Sequence, residues 1–133
     1  MRLIKEIRSR DGILHFKRWE LLKTSWFSVY IHGIYKEDQD DHLHNHPWKI
    51  ATLILKGCYI EQLETKIRKR FPGHFGYLNL NKFHKIQSIV RGPVYTLAIV
   101  SKPLQSWGYL VDGEIINNVE YRRKKNFHRR NNI

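Results

Sequence analysis

The sequence predicts an all-β domain, a sandwich or a barrel. Runs rich in aromatic and β-branched residues recur along the chain, and turn signals separate them about every 8–12 residues. The length of 133 residues, 41% of them hydrophobic, suffices for one packed core and leaves no room for a second domain.

The elements follow in order. Residues 3–10 and 13–22 mix apolar and polar positions as strands do, and Asp11-Gly12 between them is a hairpin signal. Residues 13–23 also admit a short helix, because Ile13, Phe16 and Leu21 do not alternate cleanly with polar neighbours. Residues 26–35 are aromatic and β-branched, residues 51–55 form a short apolar run ending at Lys56-Gly57, and residues 58–63 alternate again. Strands are expected at 75–80, 85–90, 94–100 and 107–111, divided by Asn81-Lys82, Arg91-Gly92-Pro93 and Lys102-Pro103. The barrel is expected to occupy residues 1–120, and the basic segment 121–133 reads as a disordered tail.

Charge narrows the partners. Twenty-four Lys and Arg against twelve Asp and Glu leave a net charge of +12, which favours an anionic partner. Arg122, Arg123, Lys124, Lys125, Arg129 and Arg130 supply half of that excess with no acidic residue among them. A second run, Lys66, Arg68, Lys69 and Arg70, reads as an exposed loop. No stretch approaches the ~20 apolar residues of a membrane-spanning helix. The lone Cys58 reads as a small buried hydrophobe that permits no disulfide, so a cytoplasmic location is expected. No Gly-x-Ser-x-Gly elbow, P-loop or dinucleotide fingerprint is present, which removes support for nucleophilic hydrolysis and ATP chemistry.

The densest chemical signal is Asp40-Asp41-His42-Leu43-His44-Asn45-His46-Pro47-Trp48. Residues two apart on a strand share a face, so His42, His44 and His46 would project together. Neutral imidazole is the commonest protein ligand to transition metals, whereas clustered protonated imidazoles would repel one another. The competing reading is an exposed polar turn that holds histidines by chance.

These residues resemble the motifs of the cupin superfamily of small β-barrels. In that family's first motif His-x-His is followed after three or four residues by glutamate and after six more by glycine; His44, His46 and Gly57 keep those intervals, with Ile50 at the glutamate position. The second motif's spacing is kept by Gly73, Asn79, Asn81, His84 and Ser88, of which only Gly73 and His84 match its residue types. The pattern is similar to a small subgroup from bacteria and phages marked by His-x-His-Pro-Trp, Gly-x-Tyr-x-Glu and a late Thr-Leu…Trp-Gly. Here these are residues 44–48, Gly57 to Glu61, Thr96-Leu97 and Trp107-Gly108.

The resemblance implies a cupin barrel with one divalent transition metal, Fe, Zn, Ni or Mn, on His44, His46 and His84. His42 then stands at the rim or behind the ligands. Glu61 is the acidic residue placed to replace the missing glutamate as a ligand or to act as catalytic acid or base; the alternative is a solvent-facing carboxylate. Trp48, Tyr59, Tyr77 and Trp107 could line a pocket, although aromatic residues at such spacing more often belong to a core, and His15, His32, His74 and His128 read as ordinary histidines.

Three imidazoles leave coordination positions open. The first functional reading is therefore a metal-dependent oxygenase acting on a small polar or anionic molecule. The absence of His-x-Asp and His-x-Glu disfavours a 2-oxoglutarate-type centre. The second reading is a non-catalytic cupin that binds an anion such as a nucleotide or sugar phosphate through Lys and Arg. A third is nucleic-acid binding through the basic segment, and the resemblance also implies a possible homodimer.

Overall fold

A computed structural model describes residues 1–38, 40–125 and 129–131. The fold is all β, as the turn spacing predicts. Strands β1 (Arg2–Arg8), β2 (Leu14–Lys23) and β3 (Phe27–Ile34) form an antiparallel meander. β4 (Leu43–His44), β5 (Ile50–Leu63), β6 (Ile67–Arg70), β7 (Phe75–Leu78), β8 (His84–Ser101), β9 (Gly108–Val111) and β10 (Glu114–Asn117) complete the main body. Helix α1 (Asn118–Lys125) and β11 (Arg129–Asn131) follow, β11 pairing with β1. All pairings are antiparallel, and β8 is the common strand: β3 and β4 lie along one edge and β5 along the other.

The first hairpin is present, and residues 14–23 are strand rather than helix. Its loop is longer than a two-residue turn because Ser9 closes it early. The Ser9 amide donates to the Ile13 carbonyl at 2.9 Å, and the Ile13 amide donates back to Ser9 Oγ at 3.2 Å. Gly12 supplies the left-handed position at φ 87°.

The chain divides less often than its turn signals suggest. Residues 51–55 and 58–63 are one strand, β5, and residues 85–90 and 94–100 are one strand, β8. Lys56-Gly57 and Arg91-Gly92-Pro93 lie opposite each other, so the two strands bend together instead of turning back. Lys56 pairs with Tyr95 and Cys58 with Arg91, which leaves Gly57 alone facing residues 92–94. Such a bulge tolerates proline, because the ladder has no bond there for its missing N–H to donate. Gly57 has φ 86°, and a Cβ on it would sit 2.8 Å from the carbonyl oxygens of both Arg91 and Pro93.

One other expectation is corrected. The basic run at 66–70 is not an exposed loop: β6 pairs with β5, and Arg70 is buried at 7% exposure. Helix α1 runs across residue 120, and Tyr121 within it is buried and stacks on Tyr109 with ring centroids 3.8 Å apart. Residues 126–128 and 132–133 of the basic segment lie outside the described residues. Among the described residues no helix is long and apolar enough to cross a membrane.

The apolar core is in two parts. Tyr30, Ile50, Leu78, Ala98 and Val100 form one cluster, and Ile34, Ile54, Tyr59 and Val94 the other. Between and beside them the curled sheet forms a cavity of about 240 Å³, lined from each of β1 to β9.

The bulge makes a stability prediction. Gly57→Ala meets both backbone strain and backbone atoms and is expected to destabilise the fold by about 3 kcal/mol or more. Gly12→Ala has a similar φ but nothing within 4 Å of the new Cβ, so it should cost about 1 kcal/mol. Urea unfolding of the two variants checks the difference.

Candidate metal centre

Local structure brings the three histidines together. His44 lies in β4 directly opposite His84, the first residue of β8, and opposite Tyr109 on the other side. Asn45 pins the short β4 segment: its amide donates to the Gly108 carbonyl at 3.1 Å, and its Oδ1 accepts from the Gly108 amide at 2.8 Å. Gln105 Nε2 donates to the His46 carbonyl at 2.9 Å and to the Leu80 carbonyl at 2.8 Å, which ties the residue after the turn to the loop before β8.

The arrangement fits a metal ion. One ligand atom from each of His44, His46 and His84 lies within 4.8 Å of the others. His46 Nε2 and His84 Nε2 are 2.9 Å apart. Two nitrogens each about 2.0–2.1 Å from a shared ion stand about 2.9–3.4 Å apart at right-angle to tetrahedral geometry. Lone pairs facing at that distance require a proton or a cation between them. Burial first, then the neighbouring His44 and His84 and the cations Arg18 and Lys5, holds His46 well below the ordinary imidazole value. His46 is therefore a neutral donor at neutral pH, as ligation demands.

Glu61 sits behind this cluster. Its carboxylate is 3% exposed, and Oε2 accepts from His84 Nδ1 at 2.8 Å. That bond orients the ring and leaves His84 Nε2 to face the shared centre, the carboxylate–histidine arrangement that supports metal ligands. The other oxygen, Oε1, accepts from Arg70 Nε at 3.0 Å and Nη2 at 2.9 Å, and Arg68 approaches to 3.7 Å. Arg68 is the cross-strand neighbour of Glu61, and Arg70 is diagonal to it. Burial pushes the carboxyl up, but the His84 hydrogen bond and the Arg70 charge outweigh it and hold the group at about 2. Both oxygens of the carboxylate are thus engaged.

The alternation of His42, His44 and His46 is only partly realised. β4 spans two residues, and His42 leaves the cluster to place Nδ1 2.9 Å from the Tyr121 hydroxyl. Ile50, at the motif's glutamate position, belongs to the apolar core. Trp48, Tyr59, Tyr77 and Trp107 all line the cavity, with Tyr59 also in the core. His44 stands among aromatic rings, with centroids 5.8 Å from Tyr109 and 6.2 Å from Trp107.

Sequence reasoning missed three cavity residues. His32, taken as ordinary, is buried in the cavity wall, and its Nε2 accepts from Arg18 Nε at 3.0 Å. Arg18 and Arg70 line the same cavity. For Arg70 a signal was available: a strand carboxylate in a Gly-x-Tyr-x-Glu turn implies a hairpin partner, and the next basic run supplies it. For Arg18 and His32 only the strand register reveals the pairing.

No protein-family model matches the sequence, and no curated protein does. Solved structures do resemble it. A cupin-2 domain protein from Rhodospirillum rubrum superposes with a TM-score of 0.59 at 11% identity, covering 90% of this chain and 74% of that one. A sugar phosphate isomerase of the cupin superfamily from Silicibacter pomeroyi gives 0.57 at 14%, covering 73% and 66%. The DMSP lyase DddQ from Ruegeria pomeroyi gives 0.58 at 19%, covering 74% and 54%. The fold of this chain is the cupin fold.

The Glu61 network separates its two arginines. Arg70→Met leaves a buried carboxylate without its main partner and is expected to cost about 3 kcal/mol. Arg68, whose side chain is 38% exposed, should cost under about 1 kcal/mol as Arg68→Met. Chemical denaturation of both variants measures the contrast.

Proposed function

We propose that this chain is a small metal-binding cupin in which His44, His46 and His84 hold one divalent transition metal, and that it acts as a metal-dependent oxygenase on a small polar or anionic molecule. The observation that carries the reading is the convergence of three histidine ligand atoms within 4.8 Å beside a 240 Å³ cavity. An ion on three neutral imidazoles keeps open positions and supplies Lewis acidity or, as Fe(II), reactivity toward dioxygen.

The protein's own residues fill supporting parts. Glu61 is a positioning residue: it fixes the His84 ring and its tautomer and is itself neutralised by Arg70. Trp107 and Tyr109 wall the cluster on the His44 side and limit water there. A neutral ligand set, with Glu61 engaged elsewhere, supports the three-histidine oxygenase reading over a carboxylate-ligated centre. The second reading, a non-catalytic anion-binding cupin, draws support from Arg18 and Lys5 in the cavity wall.

Elemental analysis of untagged protein loaded in turn with Fe, Zn, Ni and Mn is expected to give one equivalent of a single preferred metal, lost in His84→Ala. Glu61→Gln should keep the site and weaken metal affinity about 10–100-fold. Nitric oxide added to the Fe(II)-loaded protein should produce a paramagnetic adduct, the sign of an open position. A wild-type protein that retains none of these metals overturns the proposal, and a loaded protein silent to nitric oxide overturns its oxygenase part.

A further inference from the structure

A polar band crosses the inner face of the sheet, and metal ligation does not account for it. Lys5 stands opposite Arg18, Arg18 opposite His32, and His32 opposite Thr96. Directly opposed residues on neighbouring strands present their side chains to the same face, and all four line the cavity. The row beside them is apolar: Ile7, Phe16, Ile34 and Val94 occupy the same four strands two positions away. On the other side, Tyr30 and Ala98 belong to the second core cluster. The band therefore runs between two apolar layers.

Burying such groups is unfavourable unless their polar atoms are matched, and here the match is incomplete. Arg18 Nε donates to His32, and the guanidinium carbon lies 4.9 Å from the Tyr30 ring, 5.1 Å from Trp48 and 5.6 Å from Phe16. Among the described residues no carboxylate forms an ion pair with it, whereas Arg70 in the same cavity is held by Glu61. Thr96 is 1% exposed, and its Oγ1 has no hydrogen-bond partner among the described residues. With Nε committed to His32 and aromatic rings around it, the guanidinium keeps its two terminal nitrogens for an acceptor. That edge matches the paired oxygens of a carboxylate or phosphate. The band also adjoins the histidine cluster, since His44, His46 and His84 line the same cavity and Arg18 lies against Trp48, two residues from His46.

We propose that the Lys5–Arg18–His32–Thr96 band is an anion subsite: Arg18, oriented by His32, receives the carboxylate or phosphate oxyanion of a small molecule whose remainder extends toward the three histidines. This rests on the reading of the cavity as the ligand site. A volume of about 240 Å³ lies below the ~300–1,000 Å³ of drug-sized sites, so a small acid or phosphate ester fits better than a nucleotide.

The test titrates inorganic phosphate and, separately, acetate into metal-loaded wild-type protein labelled with 15N-arginine. The Arg18 Nε–H signal, assigned by its absence from Arg18→Lys, should shift saturably, and the probe that saturates at lower concentration identifies the head group. Arg18→Met should bind that probe about ten- to a hundredfold more weakly while keeping its equivalent of metal. An Arg18 signal unmoved by both probes, or Arg18→Met binding like wild type, overturns the proposal; the first measurement needs no folded Met variant. The same titration on metal-free protein separates the two readings. An Arg18 response without metal upholds the subsite even if the metal centre fails, and metal retention without that response removes the subsite alone.

Discussion

Hydrogen bonding of β8 along both of its edges is the constraint from which the cavity follows. Its C-terminal half is registered against β3 on one side and β5 on the other, and its first residue, His84, lies between β4 and β5. Because side chains alternate along a strand, one register shift would turn every inward residue outward. His84 facing His44, Thr96 facing His32, and Val94 and Ala98 in their core clusters are thus one geometric fact. The ladder to β5 shifts register around the bulge at Gly57, and beyond that bend the strand still brings His84 to the histidine cluster.

Electrostatics then divides the cavity wall into two kinds of cation. Arg70 and Glu61 compensate each other, and their joint product is a fixed His84 ring. Arg18 has an imidazole and aromatic faces in place of a carboxylate, and burial draws its guanidinium down to about 10, still charged at neutral pH. Folding tolerates the first arrangement because it is internally neutral. The second leaves a positive potential inside the fold.

Much of this was legible in the sequence. Alternation and turn spacing mark most strands, and motif spacing singles out His44, His46 and His84, which the structure brings together. What escaped is non-local. β4 is two residues long and carries no periodic signal. Gly57 and Gly92-Pro93 read as turns because a sequence does not display that they face each other across a ladder. Asp112-Gly113, with φ of 50° and 81°, joins β9 to β10 by the same dipeptide that marked the first hairpin, so that turn was readable and passed over. Arg70 hid in a run of surface-like charges, and Arg18 and His32 hid as isolated polar residues on strands. Their meaning depends on cross-strand neighbours that only register defines.

The polar stripe between the two apolar layers has a consequence for engineering. A redesign that seeks thermostability by filling the interior would choose leucine or methionine at positions 18 and 32, since replacing buried charge with well-packed hydrocarbon often raises stability. Such a variant would join the two halves of the hydrocarbon interior into one and melt later. It would also erase the chemical character of the chamber, so resistance to heat and the proposed capacity for ligands pull this sequence in opposite directions at the same few positions.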